Sequence, residues 1–340
     1  MSEITLCPHP YQPVARPEDG VRNILYGGAI VRILVGVDGS DGARHALIWA
    51  ADEAAARGCD VIAMLAYGFY GRPHQVQERF DLGASDSIAA AAEAVLAKAV
   101  ESLPRWLAGV HIAREVCDRE PVEGLLDRAG EEDMVVVGAR GLGPIRRLLL
   151  GSIGAHCARH AHCPVIVVRE GSASIAEAGG NGSPAARPVV VGVDGSPDSV
   201  EALRWAYEHA RAHSLPLVAV QAWSLLPSQS PRLADVLTAA GQRDHDAAEL
   251  RALVDGVVAP DAPGAPEVHV VDGQPAPVLL DAADGAELLV VGSRGRGGFA
   301  RLMLGSTSAT CVIHAPCSVA VLPSLSSRPS RHGGTDLVED

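Results

Sequence analysis

Two loops in this sequence have the residue types and the spacing to hold a phosphate group. The first runs Gly138-Ala-Arg-Gly141, nine residues, then Gly151-Ser152; the second runs Gly292-Ser-Arg-Gly295, nine residues, then Gly305-Ser306. Glycine lets the backbone approach a ligand closely and adopt a positive φ. The Gly-Ser pair stands where a helix should begin. A helix start offers unpaired N–H groups and the positive end of a dipole, which together bind phosphate. Arg140 and Arg294 add the charge for a charge-assisted contact. The same residues also read as turn glycines and a helix N-cap. The full spacing occurs twice, each time after a β-branched run, and that favours the phosphate reading. The loops lack the Gly-Lys-Ser/Thr end of a P-loop. They also reverse the order of the dinucleotide fingerprint, so NAD is not indicated.

A second signal is Val-Asp-Gly-Ser, at Val37–Ser40 and again at Val193–Ser196. It falls at the carboxyl end of a short apolar run, where doubly wound sheets bind their ligands. Asp38 and Asp194 could accept hydrogen bonds from a ribose or an adenine there. They could equally form Asx-turns that cap the following helix. The two roles are compatible.

Other reactive residues form no convincing set. No nucleophile–base pair stands out at Ser40 or Ser152. Binding with slow or absent hydrolysis is therefore expected, rather than an efficient enzyme. Cys157, His160, His162 and Cys163 cluster, as do Cys311, His314 and Cys317, but without a Cys-x-x-Cys knuckle. Buried free cysteines are common core residues, and no metal site is expected. Trp49 and Trp205 fall on predicted helices, as packing rather than stacking platforms. Arg146, Arg147 and Arg301 lie inside the nine-residue loops, as triphosphate contacts or as solvated side chains.

The elements that position these loops come in two copies. Asp38 and Asp194 are 156 residues apart, while Gly138 and Gly292, Gly151 and Gly305, Cys157 and Cys311, and Cys163 and Cys317 are all 154 apart. A near-constant offset of a domain's length indicates duplication, not a solenoid. Each copy opens with a β-branched strand, 32–37 and 188–193, then an Ala-rich helix, 42–57 and 198–213. Further strands are predicted at 60–66, 110–116, 134–138 and 164–168, and at 215–222, 267–271, 288–292 and 318–322. Second helices are predicted over 85–103 and 232–254, after a variable loop. Short third helices start after Pro121 and Pro275, where proline suits the first turn. Strands alternating with helices predict an α/β architecture: two tandem doubly wound domains, each with a parallel sheet and helices on both faces. The divisions are a flexible segment 1–31, domain 1 at 32–169, a Gly-rich linker 170–187, domain 2 at 188–323, and a flexible tail 324–340.

Composition limits the partners. At 340 residues the chain exceeds one average domain. Apolar residues are 48% but aromatics only 4%, so Ala, Val, Leu and Ile must build the cores. The formal charge of -13 argues against nucleic acid, which demands excess Lys and Arg. It also argues against anionic lipid. The first residues lack a signal-peptide pattern, and no run approaches the ~18 apolar residues of a membrane span. A cytoplasmic location is expected, with the seven cysteines as reduced thiols.

With the Val-Asp-Gly-Ser turn and the Gly-x-x-Gly-x9-Gly-Ser loop present twice, the chain resembles the universal stress protein family in its tandem, ATP-binding form. The resemblance covers 32–169 and 188–323. It implies five-stranded sheets of order 3-2-1-4-5, pairing through the fifth strands within the chain or in a homodimer, and an adenine nucleotide as ligand. That ligand is ATP, with Mg2+, or AMP or cyclic AMP. By position, Asp38 and Asp194 should face ribose and adenine. The backbone at Met64–Leu65 and Ala219–Val220 should line the adenine. Gly138, Arg140, Gly141, Gly151, Ser152 and Ile153 should hold the phosphates in the first half. Gly292, Arg294, Gly295, Gly305, Ser306 and Thr307 should do so in the second. The family often has a hydroxyl just after Gly-Ser; Thr307-Ser308 supplies it and Ile153-Gly154 does not, which predicts tighter binding in the second half. The implied role is a nucleotide-responsive stress regulator. A slow ATPase or adenylating enzyme, or a scaffold with vestigial sites, are the competing readings.

Overall fold

A computed structural model describes residues 30–83, 86–139, 152–170, 186–223, 233–258, 266–295 and 304–324, with backbone only over 233–242. The predicted end segments and linker therefore lie almost wholly outside the described residues. So do Arg140, Gly141, Gly151, Arg146, Arg147 and Arg301.

The first half runs β1 (Arg32–Gly36), α1 (Asp41–Arg57), β2 (Asp60–Ala66), α2 (His74–Asp81), α3 (Ile88–Glu101), β3 (Ile112–Cys117), α4 (Pro121–Arg128), β4 (Asp133–Gly138), α5 (Ser152–His160) and β5 (Val165–Val168). The second runs β6 (Val189–Gly192), α6 (Pro197–Ala212), β7 (Leu217–Trp223), α7 (Leu233–Val257), β8 (Glu267–Asp272), α8 (Pro275–Ala282), β9 (Leu288–Gly292), α9 (Ser306–His314) and β10 (Ser318–Leu322). The strands fall within two or three residues of the sequence expectation. The helix α2 does not: its segment reads as a variable loop, because its only buried residue is Val76.

All strands join one ten-stranded sheet of order β3-β2-β1-β4-β5-β10-β9-β6-β7-β8. Within each half the order is 3-2-1-4-5 and every pairing is parallel. The halves meet where β5 and β10 pair antiparallel, with Val167 opposite Val319 and Ile166 opposite Ala320. An antiparallel join between equivalent strands sets the two halves about a pseudo-two-fold axis.

Alternate strand residues feed two cores, as the period of two requires. Ile33, Val35 and Ala63 pack with α1 and α3 on one face, and Leu34, Ile62 and Met64 pack with α4 and α5 on the other. Both cores run without a break into the second half, through α6 and α7 on the first face and α8 and α9 on the second. Arg169 crosses the same join: its guanidinium donates to the carbonyls of Val312 (2.9 Å) and Ile313 (2.8 Å), the last turn of α9. No described helix is long and apolar enough to cross a membrane.

Candidate functional site

The Val-Asp-Gly-Ser turn has the same geometry in both halves. Asp38 Oδ1 accepts from Ser40 N (2.9 Å) and Ser40 Oγ (2.5 Å). Asp194 Oδ1 accepts from Ser196 N (3.0 Å) and Ser196 Oγ (2.6 Å). Each serine hydroxyl in turn accepts from the first helical turn, at Ala43 N and Ser199 N, and so caps α1 or α6. The Asx-turn is thus realised, and it consumes one carboxylate oxygen. The chain can reverse this sharply because Gly39 (φ 81°) and Gly195 (φ 78°) sit in the left-handed region. In the first half α2 reaches over this turn, with Gln75 Nε2 donating to Gly39 O at 2.8 Å.

The described glycines of the two Gly-x-x-Gly-x9-Gly-Ser segments allow close approach rather than a left-handed backbone. None of Gly138, Gly292, Gly295 and Gly305 has a positive φ. Gly138 is needed because the start of α1 lies against it: a Cβ there would sit 2.6 Å from the Gly42 carbonyl carbon. Gly292 occupies the same place against Asp198, more loosely, at 3.1 Å. These first glycines let helix and strand pack. Gly295 instead lies against the Asp-Gly-Ser turn, since a Cβ there would overlap Asp194 Oδ2.

The structure brings the second-half residues together. Gly305 N donates to Ser293 O at 2.7 Å, which closes the loop's two ends on each other. Ser308 Oγ donates to Gly292 O at 2.6 Å and is buried, so one of the two hydroxyls predicted for ligand binding is a structural tie. Thr307 is half-buried at the helix start. Gly305 is the N-cap of α9 and carries no side-chain cap. The first turn of α9 thus lacks the serine hydroxyl that caps α1 and α6.

The first half is described less fully. Ser152 is exposed at the start of α5, and Ile153 is half-buried against the core shared with α9, which explains an apolar residue there. Met64 and Val220 have buried side chains, and their carbonyls accept from Val37 N (2.8 Å) and Val193 N (2.9 Å). They extend the sheet beneath the Asp-Gly-Ser turn.

The Cys/His clusters come apart. Cys157, Cys163, Cys311 and Cys317 point into the core, while His160, His162 and His314 are exposed. Burial pushes the Cys157, Cys163 and Cys317 thiols up to about 12 and Cys311 to about 11. They are neutral core thiols, and the six described cysteines are all free. Sequence reading missed a different cluster, at the join of the halves. Glu53 on α1 meets His209 on α6 and His213 at its end, and Trp49 and Trp205 stack on the His209 ring. The available signal was the His-x3-His spacing on α6.

A mostly parallel α/β sheet of order 3-2-1-4-5 in each half, with an Asp-Gly-Ser turn after each first strand, places the chain in the doubly wound class. The family model for "Universal stress protein family" matches residues 30–169 and 185–323. The chain belongs to the universal stress protein family. It is 35% identical over 312 residues to Universal stress protein Rv1996 of Mycobacterium tuberculosis, covering 86% of this chain and 95% of that one. It is 33% identical over 291 residues to Universal stress protein Rv2005c of the same organism, covering 83% and 93%. Among solved structures, a universal stress protein from Archaeoglobus fulgidus shares the fold with a TM-score of 0.57 at 18% identity, covering 86% of this chain and 98% of that chain.

Proposed function

We propose that this chain is a stress regulator that binds ATP, or a related adenine nucleotide, in the second half, with the first half as a weaker site. The observations that support this best are the close approach of Gly295 to the Asp194 carboxylate and the start of α9 without a side-chain cap. Asp194 would take the ribose and adenine side, beside Val220. Gly292, Arg294, Gly295, Gly305, Ser306 and Thr307 would take the phosphates, with Mg2+ as the counter-ion of ATP. In a chain this acidic, backbone N–H groups and one Arg are the natural source of positive field. Asp38, Met64, Gly138, Arg140, Gly141, Gly151, Ser152 and Ile153 would serve the first half. The nucleotide acts as a binding signal in the cytoplasm. Loop order and contacts within a homodimer are its readout, and no hydrolysis is required.

The direct test is mass spectrometry of nucleotide released from freshly purified protein, followed by thermal shift of stripped protein. ATP at about one hundred times its Kd should add about 2.7 kcal/mol of stability. Gly295→Val should abolish most of that gain while leaving the stripped protein's melting temperature within a few degrees. Protein that carries no adenine nucleotide and shows no shift with ATP would overturn the reading.

The difference between the halves is tested separately. Thr307→Ile removes one hydroxyl worth about 1 kcal/mol. Titration calorimetry should therefore show roughly fivefold weaker ATP binding at the second-half site. Equal affinities for the two halves, each measured with the other disabled, would show that the hydroxyl contributes nothing.

A further inference from the structure

We propose that Glu53, His209 and His213 form a divalent transition-metal site, of the zinc class, that ties the two halves of the chain together. The ligand types fit: two imidazoles and one carboxylate are a common zinc set, with a position left for water. The geometry fits as well. One ligand atom from each residue lies within 4.8 Å of the others. Glu53 Oε2 is 3.0 Å from His209 Nδ1 and 2.7 Å from His213 Nε2. A tetrahedral site with bonds of about 2.0–2.1 Å has ligand atoms about 3.3 Å apart. A small outward shift of the carboxylate and the two rings therefore admits the ion.

The surroundings orient these ligands as a metal requires. Arg57 Nε donates to Glu53 Oε1 at 2.5 Å, and His209 Nδ1 meets both oxygens while His213 Nε2 meets Oε2. His209 is stacked between Trp205 (centroids 5.3 Å, planes 6° apart) and Trp49 (5.9 Å, 18°), so its ring plane is fixed. His213 is the C-cap of α6, at the negative end of the helix dipole, which favours a cation. Glu53 and His209 are 1% and 2% exposed, but the His213 side chain is 8% exposed, between the exposed residues Ala212 and Ser214. The ion has a way in at the helix end.

The cluster also lies on the pseudo-two-fold axis. His209 is 156 residues after Glu53 and His213 is 156 after Arg57, the offset of the first strands and helices. A symmetric pair of identical domains would set like against like here. Duplication within one chain allowed a carboxylate to face imidazoles, so one ion per chain is the expected stoichiometry.

Metal-free, full-length protein is titrated with Co2+ and then with Zn2+. The expected result is saturable uptake of about one Co2+ per chain, with a visible ligand-field band, quenching of tryptophan emission and displacement by Zn2+. His213→Gln keeps an N–H donor for Glu53 but cannot ligate in the same way, so affinity should fall about 100-fold while the circular dichroism spectrum is kept. His156 and His160 form an exposed i,i+4 pair on α5 that could bind metal adventitiously. The His156→Gln, His160→Gln double variant should keep the uptake. In the unaltered chain, Zn2+ should also protect His213 from carbethoxylation, a readout that survives if His213→Gln folds poorly. Uptake unchanged by His213→Gln, uptake lost with the α5 pair, absence of uptake at about 100 µM metal, or no protection of His213 would each overturn the site and leave a purely hydrogen-bonded cluster.

Discussion

Glu53→Ala, measured with a chelator present, is expected to cost about 3–5 kcal/mol of unfolding free energy, among the largest losses of any single side chain here. The carboxylate is 1% exposed and faces His209, His213 and Arg57 at once. Burial on its own would raise its pKa, but His209, Arg57 and the hydrogen bonds from both histidines hold it well below the usual carboxylate range. It is therefore an anion at neutral pH. Removing it strands Arg57, whose Nη2 is already buried without a partner, against the Trp205 ring that it covers at 5.3 Å. It also strips His209 of the carboxylate that meets its Nδ1. Glu53→Gln keeps the shape and one acceptor, so its loss should be smaller. Equilibrium denaturation checks the ranking. A cost below about 1 kcal/mol for Glu53→Ala would mean that β5, β10, Arg169 and the apolar cores hold the halves without help from this cluster.

The second large effect is expected at Gly138. Gly138→Ala forces a methyl onto the backbone of Gly42, where the nearest atoms would be 2.6 and 2.7 Å away. Backbone at a helix start cannot rotate aside as a side chain can, so α1 must shift against β4. The loss should be about 3 kcal/mol, at the upper end of overpacking costs. The equivalent Gly292→Ala meets Asp198 at 3.1 Å, which a displacement of a few tenths of an ångström relieves, and should cost under about 1 kcal/mol. Both variants are compared by denaturation without nucleotide. Equal, small costs would show that these glycines matter only when a phosphate is bound.

Several features were readable because they are local. The strands are short β-branched runs closed by turn residues. The N-caps Ser40 and Ser196 stand two residues after an aspartate, and that spacing is itself the Asx-turn. The duplication needed only alignment of the chain with itself. The helix α2 was not readable, since a polar segment with one buried valine carries little periodicity. The role of Gly138 and Gly292 was not readable either. The motif shows that glycine is required, but only the approach of α1 and α6 shows that helix backbone requires it.

The sequence by itself determined the fold class, the two halves, the Asp-Gly-Ser turns and the candidate phosphate loops, because each depends on residues close along the chain. The tertiary structure decided three further things. It turned Ser308 inward onto Gly292, leaving Thr307 as the hydroxyl at the start of α9. It separated the cysteines from the histidines that flank them. And it set Glu53 against His209 across a pseudo-two-fold axis. Residues 156 apart meet there for one reason: a symmetric join of β5 with β10 brings equivalent positions of α1 and α6 together, and no local pattern marks where such an axis will pass.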